Sequence, residues 1–245
     1  MDTDQTIQTP KKIAICYWGL TRSTKNVFYT HYSNFFNILK NNGHSYDVFM
    51  HTWKTDENLI WENKSSVPID YEEYKLLSPN YYQLDEQDIF LDSITFSNYF
   101  DEELYKQHGG YTQYEWIPQL IRNHLCALES QKRVTNMVLT KDKKYDYVIY
   151  IRPDVMIHNE FNIDFLNVNE KCISIPIKDQ EEGYNDRFAI MNYNDCDKYG
   201  KRIDEIIEFR KNHGRIVSEK YVKFIIDKYF EKVNFIDFDF TLTRP

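Results

Sequence analysis

Tyr145-Asp146-Tyr147-Val148-Ile149-Tyr150-Ile151-Arg152-Pro153-Asp154-Val155-Met156-Ile157 is the stretch that decides the fold. Its first half is an unbroken apolar and aromatic run, the composition of a strand whose sheet is covered on both faces. The run breaks at Arg-Pro-Asp and resumes as Val-Met-Ile. Proline has no N–H to give to a ladder, so Pro153 marks the end of the strand or a bulge. A cation and a carboxylate are thereby set together at the edge of a buried sheet. Open α/β sheets take their ligands at such strand ends.

Working outward, the same unit recurs. Lys12-Ile13-Ala14-Ile15-Cys16-Tyr17-Trp18 is a second buried strand, followed by Gly19-Leu20-Thr21-Arg22. Ser23 or Thr24 can cap a helix whose apolar positions Phe28, Tyr32, Phe35, Phe36 and Leu39 fall at helical spacing, with Gly43 at its stop. Tyr46 to Trp53 is the next strand, parallel to the first because a helix intervenes. That direction predicts His51, Thr52 and Trp53 at the edge that carries Gly19 and Arg22. Residues 54 to about 112 have little periodicity, as an excursion over the sheet edge would. From Tyr114 to about Met137 the spacing predicts a long helix, with Ile117, Leu120, Ile121, His124, Leu125 and Leu128 as its buried stripe.

Past the Arg-Pro-Asp strand, Cys172 to Pro176 is a short strand. Tyr184 to Asn192 is another, headed by the polar group Asn185, Asp186 and Arg187. Ile203, Ile206, Ile207 and Arg210 mark a helix ending near Gly214, and Ser218 can cap a last helix that carries Glu219 in its first turn. The chain closes on an alternating strand with Ile236, Phe238, Phe240 and Leu242 facing in. The expected architecture is α/β: one mostly parallel, Rossmann-like central sheet flanked by helices. Residues 1–10 read as a disordered lead-in ending at Pro10, and residues 11–245 as a single domain.

Composition narrows the function. A net charge of −8 disfavours nucleic acid as a main partner, because phosphate backbones demand clustered cations. Lys141-Asp142-Lys143-Lys144 is short and interrupted, and reads as a solvated loop before a strand. Cys16, Cys126, Cys172 and Cys196 are too widely spaced for a zinc motif or a disulfide framework. The first six residues are polar and acidic with no apolar signal core, and no run is long enough for a transmembrane segment. The expected location is therefore cytoplasmic, in the host cytoplasm if the chain is viral.

The order of these pieces carries a resemblance. Ile13-Ala14-Ile15 with Gly19-Leu20-Thr21-Arg22, then Tyr46 to Trp53, Tyr145 to Asp154, Asn185-Asp186-Arg187-Phe188-Ala189-Ile190 and Ser218-Glu219 together resemble glycosyltransferases of the GT-A fold found in bacterial surface-polysaccharide loci and large DNA viruses. The resemblance runs from about Lys12 to Arg244. It implies transfer of a sugar from a nucleotide-sugar, such as a UDP- or GDP-sugar, to a glycan or glycoprotein acceptor.

The resemblance also implies roles for residues. GT-A enzymes usually end a buried strand with Asp-x-Asp, whose carboxylates hold Mn²⁺ or Mg²⁺ against the departing diphosphate. Arg152-Pro153-Asp154 stands at that position, with arginine in place of the first carboxylate. Asp154 is then expected to ligate the metal; alternatively Arg152 supplies the positive charge itself, its planar fork matching phosphate oxygens. Gly19, Thr21 and Arg22 would flank the nucleotide from the first strand, and His51 and Thr52 would line its base or ribose pocket. Asn185 would serve sugar recognition. Asp186 is the first candidate for the base that takes the acceptor proton, and Glu219 the second. His158, just past the strand, is a minor further candidate for the metal. Two other functions fit a similar sheet: a sugar-phosphate nucleotidyltransferase, and a non-catalytic carbohydrate- or nucleotide-binding protein.

Overall fold

The computed structural model describes residues 9–55, 69–107 and 117–244. Its first half runs through β1 (Lys12–Trp18), α1 (Thr24–His31), a π-helical turn (Tyr32–Phe36), α2 (Asn37–Asn41), β2 (Ser45–Lys54) and β3 (Tyr81–Glu86). Two short helices, α3 (Gln87–Ser93) and α4 (Glu102–Gln107), precede the long α5 (Ile117–Leu139), which returns the chain to the sheet as β4 (Tyr147–Ile151). The second half comprises β5 (Val155–Ile157), β6 (Cys172–Pro176), β7 (Phe188–Asn192), α6 (Cys196–Gly200), α7 (Ile206–His213), α8 (Ser218–Tyr229), β8 (Lys232–Ile236) and β9 (Phe240–Leu242).

Seven strands form one sheet in the order β3-β2-β1-β4-β7-β6-β8, and β5 with β9 makes a separate pair. All strands of the large sheet share one direction except β7, which is antiparallel to both β4 and β6. The sheet is thus the mostly parallel α/β sheet that the apolar runs predict. Alternate residues of each strand feed opposite layers. Ile13, Ile15 and Tyr17 pack with Phe35, Phe36 and Leu39 from the π turn and α2, while Ala14, Cys16 and Trp18 pack with Val134 and Val138 of α5 and Val222 of α8. Fully burying one such large apolar side chain contributes roughly 1.5–3 kcal/mol, so a strand apolar on both faces is anchored twice over.

The reversed strand brings a distant turn to the Arg-Pro-Asp edge. Because β7 runs against β4, its first residue Phe188 lies opposite Ile151, the last residue of β4. The turn just before β7 therefore lands beside Arg152, whose N–H donates to the Arg187 carbonyl at 3.3 Å.

Several local expectations are corrected. The closing alternating segment is two strands in two sheets, with β8 pairing β6 and β9 pairing β5. Strand β3, parallel to β2, lies in the stretch that shows little periodicity. Neither Ser23 nor Ser218 caps a helix through its side chain; the Ser218 hydroxyl donates to Glu219 instead, at 2.6 Å. The beginning expected for the long helix at Tyr114, and most of the lead-in, lie outside the described residues.

Candidate functional site

At the C-terminal ends of β1, β2 and β4 opens a cavity of about 330 Å³, lined by the loop after β1, the Arg-Pro-Asp turn, the turn before β7, one side of α5 and the head of α8. Its size is within the range of small-molecule sites. Gly19 begins the first loop at φ +91°, a left-handed conformation that glycine adopts without strain. A Cβ there would meet no protein atom within 4 Å, so conformation, not crowding by the fold, calls for glycine. The Gly19 N–H donates to the Ser130 hydroxyl of α5 at 2.8 Å, which fixes the loop against that helix.

Asp154 is the hub. Its side chain is 1% exposed, and its backbone carbonyl accepts the Thr243 N–H at 2.9 Å. Oδ1 accepts Arg152 Nε at 2.9 Å; Oδ2 accepts Arg152 Nη2 at 2.6 Å and Arg22 Nη2 at 3.1 Å. Burial alone would raise its pKa, but Arg152 and then Arg22 overcome this and hold it at about 2. Burial lowers the pKa of Arg22, opposed by Asp154. For Arg152 the pull of Asp154 outweighs burial, and its pKa is raised.

Two further arginines reach the cavity, Arg187 from the turn before β7 and Arg244 from beyond β9. Arg187 sits between three carboxylates: Asp179 at 3.4 Å, Asp186 at 3.7 Å and Glu219 at 3.7 Å. Burial, and then the charge of Asp186, push the Glu219 carboxyl up from its ordinary value. His124 of α5 completes the wall; burial lowers its pKa to about 4, so it is a neutral imidazole at pH 7, and its Nε2 is buried without a hydrogen-bond partner among the described residues. Among the described residues, four guanidiniums and three carboxylates thus line one cavity of an acidic chain.

The head of α8 is set by a close contact. Tyr184 N–H donates to the Glu219 carbonyl at 3.0 Å, and a Cβ on Gly183 would overlap that same carbonyl. Gly183→Ala is expected to cost about 1–3 kcal/mol through overpacking. Thermal unfolding of the variant checks this; a melting temperature equal to the parent's would show that the 183–184 turn yields freely.

Of the residues expected at the site, Gly19, Arg22, Arg152, Asp154, Asp186 and Glu219 line the cavity. Five do not, Thr21, Thr52, Asn185, His51 and the minor candidate His158, and their placement is corrected. Thr21 and Thr52 are buried outside the lining. Asn185 is buried as a turn-former, donating to the Lys178 carbonyl at 3.0 Å and accepting the Arg187 N–H at 2.9 Å. His51 lies beneath α5, with Nδ1 2.7 Å from Ser130 Oγ and Nε2 3.0 Å from Asp85. It stands behind the cavity wall, edge-on to Trp53 at 4.7 Å between ring centroids and bonded to Ser130, which holds Gly19. His158 pairs with Thr241 at 3.0 Å outside the cavity. Trp53 is both core and wall, its indole N–H donating to the Cys126 carbonyl at 2.9 Å. His124, Arg187 and Arg244 are among the lining residues to which the sequence assigned no role in the site.

The metal expected from the resemblance does not fit this donor set. Both carboxylate oxygens of Asp154 are engaged by guanidiniums. Among the described residues, no group of three or more His, Cys, Asp or Glu side chains is arranged to hold a metal ion. In this structure Asp154 is the acceptor that orders two arginines, and this donor set lends no support to its being a metal ligand. No protein-family model and no curated protein sequence matches the chain.

Proposed function

We propose that the chain is a glycosyltransferase that moves a sugar from a nucleoside-diphosphate donor to a hydroxyl of a glycan or glycoprotein acceptor. The observation that supports this most is one cavity at the C-terminal edge of an open α/β sheet, where four guanidiniums meet Asp186 and Glu219. Negative charge develops on the diphosphate as the bond to the sugar breaks, and preorganised guanidiniums stabilise it in the transition state. The acceptor hydroxyl must lose its proton as it attacks, and a carboxylate in the same cavity can receive it. Asp186 is that base in this reading, held 3.7 Å from the Arg187 guanidinium, and Glu219 across the same arginine is the second candidate. The enzyme would work in the cytoplasm; no helix among the described residues is long and apolar enough to cross a membrane.

A non-catalytic binder of the same donors is the competing reading, and the replacement of the first carboxylate by Arg152 motivates it. Thermal-shift titration with UDP-, GDP-, TDP- and CMP-sugars should find one family of donors that raises the melting temperature. Stabilisation by none of them would overturn both readings. With the donor identified, Asp186→Ala is expected to keep donor binding and lose transfer by roughly 10²–10⁴-fold, the range for removal of a general base. Undiminished transfer would remove Asp186 from the mechanism, and donor binding with no transfer or hydrolysis in the parent would favour the binder.

A further inference from the structure

We propose that the cavity binds a diphosphate without a divalent cation: Arg152, Arg22 and Arg187 take the cation's place, and Asp154 is the positioning residue that holds the first two. The inference rests on the glycosyltransferase reading only for the kind of ligand, a diphosphate, and not for sugar transfer.

Three observations carry it. The first is the direction of the Asp154 lone pairs. A carboxylate that binds an ion must present an oxygen to it, yet Asp154 is 1% exposed and its two oxygens accept three guanidinium N–H groups at 2.6–3.1 Å. The second is what remains on the arginines. A guanidinium carries five N–H donors in a fixed fork. Arg152 spends Nε and Nη2 on Asp154, its Nη1 makes no hydrogen bond among the described residues, and the side chain is 25% exposed in the cavity wall. Arg187 Nη1 makes no hydrogen bond among them either, and its ion pairs at 3.4–3.7 Å are all longer than the 2.7–3.2 Å of a formed N–H···O bond. Arg187 is thus held loosely among carboxylates, ready to tighten on a better acceptor.

The third is the sign of the field. Arg22 and Arg152 converge on one buried carboxylate and together with it carry one net positive charge; Arg187 and Arg244 balance Asp186 and Glu219, so the lining as a whole stays positive by one charge. A dication placed there would face like charges at short range, where the effective dielectric is low. An anion with several oxygens meets planar forks that match phosphate geometry bidentately. The pattern that in a metal site would be two carboxylates around a cation is here inverted: two cations around a carboxylate, with Arg22 and Arg152 both in the cavity lining.

The test uses the intact chain and inorganic pyrophosphate, titrated calorimetrically in EDTA and again in excess Mg²⁺. Expected is binding in EDTA that is less than about tenfold weaker than in Mg²⁺, with Arg152→Gln losing about tenfold or more, as removal of a charge-assisted contact does. Weakening by tenfold or more in EDTA overturns the inference, as does absence of binding in both buffers. Pyrophosphate binding by Arg152→Gln that equals the parent's also overturns it. Repeating the titration with UDP- and GDP-sugars separates this proposal from the functional one. Pyrophosphate bound in EDTA while no nucleotide-sugar binds leaves the cation-free site standing and removes the transferase. Nucleotide-sugars bound only with Mg²⁺ do the reverse.

Discussion

Asp154→Ala is expected to lower the unfolding free energy by about 3–5 kcal/mol, the cost of removing one partner from a buried ion pair. The cause lies less in lost attraction than in what is left behind. The Arg22 and Arg152 side chains are only 11% and 25% exposed, and both lose the carboxylate that justified their desolvation. For a chain of this length, each kcal/mol corresponds to roughly 2–4 °C of melting temperature, so the variant should melt about 6–20 °C lower. Urea unfolding at pH 7 checks the free energy directly. A loss below about 1 kcal/mol would mean that water already compensates the arginines and that Asp154 is not their anchor.

The second large effect is on acid stability, and it comes from buried histidines: His124 in the cavity wall and two more that no ligand needs to touch. His31 and His51 are both 0% exposed. His31 sits between the Tyr17 hydroxyl at 2.8 Å and the Val155 carbonyl at 2.7 Å, with Asp154 close enough to oppose part of its shift. His51 lies between Ser130 and Asp85, and Arg133 pairs with the same Asp85 oxygen that His51 meets. Burial lowers each pKa from 6.5 to about 4. The unfolded chain therefore takes up protons below pH 6.5 that the folded chain refuses until about pH 4. Stability is fully present above pH 6.5 and is lost as pH falls toward 4, by on the order of 3 kcal/mol for each histidine. Asp154 acts in a lower window: its pKa is held at about 2, so its contribution is present above the ordinary carboxylate value and is lost as pH falls through about 2. Urea unfolding between pH 7 and pH 4 should show the histidine slope, and His51→Gln should reduce it by close to one proton. A flat profile would mean that the imidazoles find water or protonate in place.

The parallel sheet was legible because its strands are apolar on both faces, so β1, β2, β4 and β6 announce themselves as continuous runs. β3 was hidden because it is an edge strand: Tyr82 and Gln83 are exposed, and only one neighbour has to be satisfied. The closing segment kept its alternation across a break between β8 and β9, since Phe238 is buried in the connection itself and period alone cannot see a change of sheet. At the site, Gly19, Arg22, Arg152 and Asp154 could be read because each follows a strand end directly. His51 could not. It stands level with Trp18 in the β1–β2 register, and whether a side chain there meets solvent or a helix depends on where α5 crosses. Arg187 and Arg244 depend on antiparallel pairings, β7 on β4 and β9 on β5, which no local pattern specifies.

The one reversed strand divides the cavity by ancestry along the chain. Arg22, Arg152 and Asp154 arrive on loops that leave parallel strands in the first two-thirds of the sequence, while Asp186, Arg187 and Glu219 arrive on the turn that feeds β7 and on α8. In the proposed enzyme the first source holds the leaving diphosphate, while the second supplies the base for the incoming hydroxyl and, through Arg187, one further contact to the diphosphate. The acceptor side can therefore be redrafted without touching the donor as long as Arg187 is kept. Exchanging residues 179–186 together with the head of α8, with Arg187 retained, should redirect which acceptor is used while donor choice stays where β1 and β4 put it.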